Sequence, residues 1–413
     1  MSNINLLHNP LALQAFFADS GLFSNLDIHF ANFMARLSAT DSPAVPLAAA
    51  LVSSKTNEGN ICLDLGEYAG SNLFAKSNEE TPIQYACPAL AAWTDHLLQS
   101  GVVGEGHGNT PLVLDRKGRL YLRRYWEYEE TILNFILKRA DTVLQDIDYP
   151  RLERDIQKLF KPQESGKTDW QKISTISAVT RSFSVISGGP GTGKTTTVAR
   201  LLALLLDQYK NKLRVVLAAP TGKAASRLQE AISTTGLLQE KTDLPKAATL
   251  HRMLGPIPNS PYFRHDADNK IAADAIIVDE ASMVDLPLMA KLMQAVPDSA
   301  RLILLGDRNQ LASVQPGSVF GDICHPEAMR CFSDSFIHKT LESSDRKQTV
   351  TNRPLKAGVS GLQNSFVELV DNYRFPGKRG IAALSNAVKD GDGGGALDLL
   401  LTEKTELISW SDI

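Results

Sequence analysis

The residues that could do chemistry begin with a glycine-rich segment, GGPGTGKT, at positions 188–195. It matches the pattern Gly-x-x-x-x-Gly-Lys-Ser/Thr, and it lies between an apolar run and an amphipathic one, as the strand and helix around such a loop require. Glycines let backbone N–H groups turn inward around a phosphate, and the start of the next helix adds partial positive charge. Lys194 can reach the β- and γ-phosphates, and Thr195 offers a hydroxyl to Mg²⁺. The segment therefore predicts a site for a nucleoside triphosphate with Mg²⁺.

Two further polar segments follow apolar runs. Asp279 and Glu280 end the run Ile276–Val278, where the first carboxylate could hold Mg²⁺ and the second could take a proton from an attacking water. The alternative for such a pair is a helix N-cap and its neighbour. Gln310, in LGDRNQL, has the reach and neutrality to hydrogen-bond a γ-phosphate or its water, whereas the alternative there is a surface turn. Ligands in open α/β sheets bind at such strand ends, which favours the catalytic interpretation of both segments.

Short apolar runs alternate with helical segments, and these predict the elements that position the polar groups. The predicted strands are Phe183–Ser187, Leu213–Ala218, Ala275–Val278 and Leu302–Leu305, and the predicted helices are Thr195–Tyr209, Lys223–Ala231 and Pro287–Val296. Apolar strands that alternate with helices are typical of a parallel sheet covered on both faces. The chain is therefore expected to be an α/β protein.

The N-terminal part has a different pattern. Residues 11–17, 28–37 and 45–52 are predicted helices, and residues 111–126 alternate apolar and polar side chains, which predicts a β-hairpin. Its turn, Asp115-Arg116-Lys117, also spells the D-x-K fragment of some nucleases, but a hairpin turn is the favoured interpretation. Residues 161–169 are predicted to be a linker, and the polar stretch 333–364 a mobile or connecting segment.

Composition limits the functions that the chain can have. Its 413 residues carry 43 Lys+Arg against 46 Asp+Glu, a net charge of −3, so nucleic acid must be bound through local patches or through a partner. Four cysteines, Cys62, Cys87, Cys324 and Cys331, are too few and scattered for a disulfide framework, and a zinc site at the last two lacks a second ligand pair. Apolar runs are too short to span a membrane. A soluble, cytoplasmic protein is expected.

The motifs, in this order, resemble the superfamily 1 DNA helicases of the 5′→3′ branch, and above all the RecD family, the α subunits of the RecBCD helicase–nuclease (exodeoxyribonuclease V). Residues 184–202 (SVISGGPGTGKTTTVARLL) resemble motif I, 218–228 (AAPTGKAASRL) motif Ia, 278–287 (VDEASMVDLP) motif II and 304–324 (LLGDRNQLASVQPGSVFGDIC) motif III. Residues 44–65 (AVPLAAALVSSKTNEGNICLDL) are similar to the family's N-terminal domain.

The resemblance implies a RecA-like ATPase lobe after a small, mostly helical N-terminal domain, and then the start of a second RecA-like lobe. The implied parts are a partner-docking domain (1–110), a hairpin and linker region (111–165), lobe 1 (166–332), and a connecting segment with an incomplete lobe 2 (333–413). No counterpart of motifs V and VI is found before Ile413, so the chain is expected to be a fragment or a truncated gene product. Asn309 stands where the family usually has an acidic residue.

The resemblance also implies roles for particular residues. The implied catalytic residues are Lys194, Asp279, Glu280, Gln310 and Arg374, with Mg²⁺ held by Thr195 and Asp279. The residues implied to bind ATP are Gln171, Gly188, Gly189, Pro190, Gly191, Thr192, Gly193, Lys194, Thr195 and Thr196. Those implied to face DNA are Thr221, Gly222 and Lys223. Purely structural roles remain as alternatives. Gln171 and Arg374 could be solvated residues, and Thr221 could be a helix cap. His251, which lies in a family motif, could be a packed or capping residue.

The implied function is an ATP-dependent 5′→3′ DNA helicase or translocase subunit of an exodeoxyribonuclease V complex, acting in recombinational double-strand-break repair. The implied partners are single- and double-stranded DNA and RecB-like and RecC-like subunits. A hypothesis from another class is an ATP-binding assembly or switch subunit that does not unwind DNA. Stimulation of ATP hydrolysis by single-stranded DNA separates the two, because a motor requires it and a switch does not.

Overall fold

A computed structural model describes most of the chain as two compact units. The described residues are 10–74, 84–140, 142, 144–160, 168–210, 212–238, 244–310, 316–317, 319–324, 329, 331–340, 363–373 and 380–402. The first unit comprises Met1–Leu133 with Asp285–Ala290 and Ser313–Gly317, and the second comprises the rest.

The first unit packs helices with two small sheets. Its helices are α1 (Pro10–Asp19), α2 (Asn25–Leu37), α3 (Ala44–Asn57) and α4 (Leu90–Gln99), and α5 (Arg123–Ala140) leads out of it. Its strands are β1 (Cys62–Asp64), β2 (Asn72–Phe74), β3 (Gln84–Ala86), β4 (Val103–Gly104), β5 (Leu112–Leu114) and β6 (Arg119–Leu122). The sheet orders are β1-β6-β5-β4 and β2-β3.

Helix α3 is the centre of the first unit. Its residues from Ala44 to Ser53 are all buried, as expected for a helix that is apolar on every side. The adjacent α2 begins with a capping box, in which Ser24 and Asp27 each bond the other's backbone N–H. The buried Asp27 carboxylate also accepts hydrogen bonds from Ser53 Oγ at 2.5 Å and Asn57 Nδ2 at 3.1 Å. This one side chain therefore caps one helix and ties it to the next.

The predicted hairpin is confirmed as β5 and β6. Asp115 Oδ1 accepts from the backbone N–H groups of Lys117 at 2.9 Å and Arg119 at 2.8 Å, and Asp115 Oδ2 accepts from the Arg119 guanidinium. The carboxylate of the D-x-K fragment therefore stabilises a turn. Because β6 also pairs with β1, the hairpin belongs to the same sheet as the N-terminal residues, across the predicted boundary at 110.

The second unit is a six-stranded parallel sheet with helices. Its strands are β7 (Phe183–Gly188), β8 (Val215–Ala219), β9 (Ala247–Thr249), β10 (Ala275–Val278), β11 (Arg301–Gly306) and β12 (Phe366–Leu369). They lie in the order β12-β7-β11-β10-β8-β9, and every neighbouring pair is parallel. Its helices are α6 (Tyr149–Leu159), α7 (Trp170–Thr180), α8 (Lys194–Gln208), α9 (Gly222–Thr234), α10 (Leu250–Leu254), α11 (Leu286–Ala295, shared with the first unit), α12 (Val319–Ile323), α13 (Asp334–Thr340), α14 (Ile381–Lys389) and α15 (Gly393–Thr402).

The α/β class and the four predicted strands are confirmed. The strands β7, β10 and β11 are buried along their whole length, which explains why each is mostly apolar and shows no regular alternation of apolar and polar residues. One face of the sheet carries α7 and α8, whose side chains share its core through Ile176, Val198 and Leu202. The phosphate loop therefore starts from the interior of the sheet and leads into a helix packed on it.

The structure differs from the predicted connecting segment over 333–364. Its start forms α13, and Phe336 and Ile337 join the core of the second unit together with Phe332. Its end is also ordered by contacts, because Asn364 Oδ1 accepts from the backbone N–H of Ser333 at 2.8 Å. Strand β12 follows and joins the large sheet beside β7, across the predicted boundary at 332. Residues 341–362 and 161–167 of the predicted segments lie outside the described residues.

Candidate nucleotide-binding site

The phosphate loop connects β7 to α8. Gly191 and Gly193 have φ angles of 79° and 83°, in the left-handed region that favours glycine. The loop is braced from within, since the Thr192 hydroxyl donates to the carbonyl of Gly189 at 2.8 Å. Helix α8 begins directly after the loop at Lys194, so its free N–H groups face the concave side of the loop. The strand, loop and helix predicted around this segment are therefore all present.

Lys194 lies at the mouth of this loop. Its Nζ donates to the carbonyl oxygens of Gly188 at 2.5 Å and Gly189 at 3.4 Å. Burial raises the pKa of the Asp279 carboxyl, and the positive charge of Lys194 opposes part of that rise. Phosphate oxygens could replace the two carbonyls as acceptors for this ammonium group.

Gln171 contacts the loop from α7 and is buried. Its Nε2 donates to the carbonyl of Thr192 at 3.0 Å, and its Oε1 accepts from Arg200 Nη1 at 2.6 Å. The Arg200 guanidinium in turn lies over the ring of Phe160, 4.7 Å from its centroid. The solvated alternative for Gln171 is wrong, because its amide braces the outside of the phosphate loop. Sequence patterns gave no signal for Arg200.

Asp279 and Glu280 follow β10 directly. Asp279 is 7% exposed, and its Oδ1 accepts from the backbone N–H of Glu280 at 2.9 Å. Burial raises the pKa of Asp279 to about 6, and the neighbouring Glu280 charge adds to this rise. Glu280 itself is half-buried, with φ 53° and ψ 38°, a left-handed backbone that is uncommon for residues other than glycine. The pair thus joins one desolvated carboxyl to one that water reaches.

Gln310 follows β11 in the loop that begins with Asp307. Its Oε1 accepts a hydrogen bond from Ser282 Oγ at 2.6 Å. Because Ser282 belongs to the turn after β10, this turn fixes the orientation of the Gln310 amide. Gly306 permits this approach, since a Cβ there would lie 2.9 Å from the backbone nitrogen of Ser282 and 2.8 Å from the Phe320 ring. Ser282 is a site residue that the sequence analysis missed.

Asn372 and Tyr373 also lie against the loop, after the end of β12. Tyr373 donates its backbone N–H to the carbonyl of Gly191 at 2.8 Å, and Asn372 Nδ2 donates to the carbonyl of Pro190 at 3.2 Å. The Tyr373 side chain is 54% exposed, and a Cβ at Gly193 would lie 3.7 Å from its ring. An accessible aromatic ring therefore stands beside the phosphate loop. Arg374, a catalytic residue that the resemblance implies, lies outside the described residues.

These groups meet because their strands are neighbours. In the order β7-β11-β10, the phosphate loop, Gln310 and Asp279 all follow the carboxyl ends of adjacent parallel strands, which lie at one edge of the sheet. Thr195 and Asp279 offer a hydroxyl and a carboxylate, oxygen donors of the kind that Mg²⁺ takes. Among the described residues no group of three or more His, Cys, Asp or Glu could hold a metal.

A groove lies at the end of β8 and β9, the next strands in the sheet. Its volume is about 710 Å³, and its lining includes Gly222, Lys246, Thr249 and Arg252. Thr221 caps α9, since its Oγ1 accepts from the backbone N–H of Ala224 at 3.2 Å. The helix-cap role of Thr221 is therefore confirmed. The cations Lys246 and Arg252 were missed, because isolated basic residues in a sequence give no signal.

The other residues that the sequence singled out have structural surroundings. The exposed His251 contacts Phe263 through its ring, with centroids 5.7 Å apart. Cys62, Cys87, Cys324 and Cys331 are free thiols. Over the part of the chain that the structure describes, no helix combines the length and apolar character needed to cross a membrane.

Each of the two units contains residues that match a known protein family. Residues 19–121 match the family described as the N-terminal domain of RecBCD enzyme subunit RecD, and residues 171–316 match the AAA domain family. The RecBCD enzyme subunit RecD of Haemophilus influenzae is 34% identical over an alignment of 411 positions, which covers 92% of this chain and 62% of that protein. The subunit of the same name from Mycolicibacterium smegmatis is 35% identical over 93% of this chain and 61% of its own length.

A shorter match extends beyond these subunits. The ATP-dependent RecD2 DNA helicase of Deinococcus radiodurans is 35% identical over 201 residues, 49% of this chain and 25% of that protein. The chain thus spans about three fifths of the length of the RecD subunits that it matches. With its motifs in the same order on a RecA-like parallel sheet, and with identities of this size over nine tenths of its residues, the chain is similar to the RecD subunits of the RecBCD enzyme.

Proposed function

We propose that this chain binds ATP with Mg²⁺ and forms part of an ATP-hydrolysing DNA helicase that moves 5′→3′ as a subunit of a RecBCD-type exodeoxyribonuclease V. The observation that carries the proposal is the meeting of Lys194, Asp279 and Gln310 at one edge of the parallel sheet, beside the phosphate loop. The similarity to RecD subunits over nine tenths of the chain supports the same reaction class.

The roles follow from the geometry of each group. The N–H groups of the loop and Lys194 bind the phosphates, and Thr195 with Asp279 would hold Mg²⁺. Bound there, the metal ion neutralises charge on the β- and γ-phosphate oxygens. Glu280, which water reaches, accepts the proton of the attacking water. Gln310, with its oxygen occupied by Ser282, directs its N–H₂ group to the γ-phosphate or that water.

The base is assigned to the other side of the loop. Gln171 lies there in contact with the loop, and Tyr373 offers an accessible ring on which a purine could stack. Both residues are anchored to carbonyls of the loop, Gln171 through its side chain to Thr192 and Tyr373 through its backbone to Gly191. We assign the binding of adenine to these two residues. We assign to Arg374 the role of a cation that reaches the γ-phosphate from the second lobe.

Single-stranded DNA is assigned to the groove at the end of β8 and β9. Thr221, Gly222 and Lys223 lie at the start of α9. The lining of the groove holds two cations, Lys246 and Arg252, and one carboxylate, Glu230. Phosphates attract such cations, and a helix N-terminus supports a phosphate contact. Local placement of charge accounts for DNA binding by a chain with a net charge of −3.

The partners are assigned to the first unit. Helix α2 exposes Leu26, Phe33 and Leu37, which share one face at helical spacing, whereas Asp27 and Met34 of the same helix are buried. Clustered apolar side chains on a surface are typical of protein interfaces. The relatives are named as subunits of the RecBCD enzyme, so we assign this surface to a RecC-like partner, in a cytoplasmic complex that also holds a RecB-like subunit and repairs double-strand breaks.

The test is ATP turnover by the complex assembled with its partner subunits, with the partner motor inactivated, with and without single-stranded DNA. Lys194→Ala is expected to abolish turnover, because a cation that stabilises transition-state charge is typically worth several kcal/mol. Lys212→Ala, at an exposed lysine beyond the opposite end of α8, is the matched control and should be active. Turnover that single-stranded DNA leaves unchanged would favour the switch alternative over a motor.

A further inference from the structure

An ion pair joins the loop after β11 to strand β12. Arg308 Nε lies 3.5 Å from Glu368 Oε1, and the two side chains are 23% and 9% exposed. Arg308 follows β11, two residues before Gln310, and Glu368 lies within β12. In the sheet, β7 runs between these two strands.

The pair therefore crosses the end of β7, directly before the phosphate loop. Glu368 and Gly306 are both register partners of Ser187, so the Arg308 side chain must extend past Ser187 to reach Glu368. The backbone N–H of Arg308 also donates to Ser187 Oγ at 3.2 Å. The ends of β11, β7 and β12 are thus joined side by side at Ser187, one residue before Gly188.

Each end of the pair leads to a group that faces the nucleotide site. On one side Gln310 is held by Ser282. On the other, β12 continues into Asn372 and Tyr373, which bond the carbonyls of Pro190 and Gly191. A movement of the Gln310 loop toward a γ-phosphate would pull on β12 through this pair.

Stability alone is a poor explanation for the pair. Removing two charges from water costs free energy that their attraction repays only in part, and apolar side chains of similar size would stabilise the same site as well. A directional link between the Gln310 loop and strand β12 is a property that apolar side chains would not supply.

We propose that Arg308 and Glu368 are positioning residues, a latch that couples occupancy of the γ-phosphate position at Gln310 to β12 and the Asn372–Tyr373 segment. The latch rests on the proposed function, because it requires a nucleotide in this site. Its measurable property is discrimination between nucleotides with and without a γ-phosphate.

The experiment measures binding of mant-ADP and of the non-hydrolysable mant-AMPPNP, both with Mg²⁺, to the full chain. Glu368→Gln retains the size of the side chain and loses its charge, and Arg308→Met loses the cation. Each is expected to reduce the ratio of the two affinities by about fivefold or more, the lower range of coupling between sites. Arg308→Lys should retain part of the wild-type preference for one nucleotide over the other. The charge-swapped double variant Arg308→Glu/Glu368→Arg should recover part of that preference.

The control is Lys138→Met, which removes the exposed pair that Lys138 forms with Asp298 at 2.8 Å in the same unit, and which should leave the ratio unchanged. Melting temperatures are measured alongside. A lower melting temperature with an unchanged affinity ratio would show that the pair only stabilises the fold, and would overturn the latch. If the wild-type chain binds neither nucleotide, the proposed function fails, and the latch with it.

Discussion

Replacing Asp279 by asparagine is expected to stabilise the nucleotide-free protein while it removes a proposed Mg²⁺ ligand. The carboxyl is 7% exposed, and burial raises its pKa from 3.8 to about 6. One pKa unit corresponds to about 1.36 kcal/mol. The ionised side chain therefore lowers the free energy of unfolding by up to about 3 kcal/mol at neutral pH. Asparagine can accept the same hydrogen bond from Glu280 without carrying a charge.

The sign of the pH dependence follows from the direction of the shift. Because the folded pKa lies above the unfolded one, the folded state binds the proton more tightly, and stability falls as the pH rises from about 4 to about 6. The Asp279→Asn variant would not show this fall, since its side chain does not titrate. The advantage of the substitution should therefore be about half as large at pH 5 as at pH 7.5, where it reaches its full value.

The measurement is differential scanning calorimetry at pH 5 and pH 7.5 without nucleotide, which resolves the transitions of separate units. A gain of about 3 kcal/mol raises the melting temperature of a unit of this size by roughly 6–12 °C. Glu280→Gln is the matched control, and because water reaches that carboxylate it should change the melting temperature much less. Equal melting temperatures for Asp279→Asn and wild type, or a gain independent of pH, would refute burial of the ionised carboxyl as the cause.

Three other changes test separate parts of the proposed function. Ser282→Ala removes the hydroxyl that holds the Gln310 amide and should lower kcat for ATP hydrolysis about tenfold while KM changes little, since a positioned proton-transfer or water-orienting contact typically contributes about 10²-fold or more in full. An unchanged kcat would show that Gln310 is held by other means. Phe33→Glu should weaken co-purification with a RecC-like subunit and leave the melting temperature of the free chain unaltered, whereas undiminished complex formation would rule out this face of α2. Arg252→Glu should lower affinity for single-stranded DNA and reduce the salt slope by about one for the lost phosphate contact, and a slope that stays constant in titrations at several salt concentrations would exclude the groove.

Sequence patterns predicted the buried central strands of the sheet. The strands β7, β10 and β11 are mostly apolar, and each is followed by a polar group at its carboxyl end, so the positions of Lys194, Asp279 and Gln310 at the edge of the sheet could be predicted. These predictions succeeded because the pattern that buries a strand also fixes which residues come out at its edge.

Other elements depend on contacts that no local pattern encodes. Strand β12 has the sequence FVEL, and its glutamate looks like a solvated residue until Arg308, sixty residues earlier in the chain, is found beside it. Helix α13 has only seven residues, too few for a helical period to be detected. In both cases the element is stabilised by long-range packing, which a single sequence does not display.

The left-handed backbone of Glu280 bears on how the chain could be altered by evolution or by design. At φ 53° and ψ 38°, glycine would relieve backbone strain of about 1 kcal/mol or more, and it would also remove the carboxylate next to the buried Asp279. Selection for heat resistance alone would therefore favour glycine at this position, and only selection for turnover would retain glutamate. A library screened first for folding and then for hydrolysis should diverge at this residue before it diverges at the glycines of the phosphate loop, where both pressures favour the same residue.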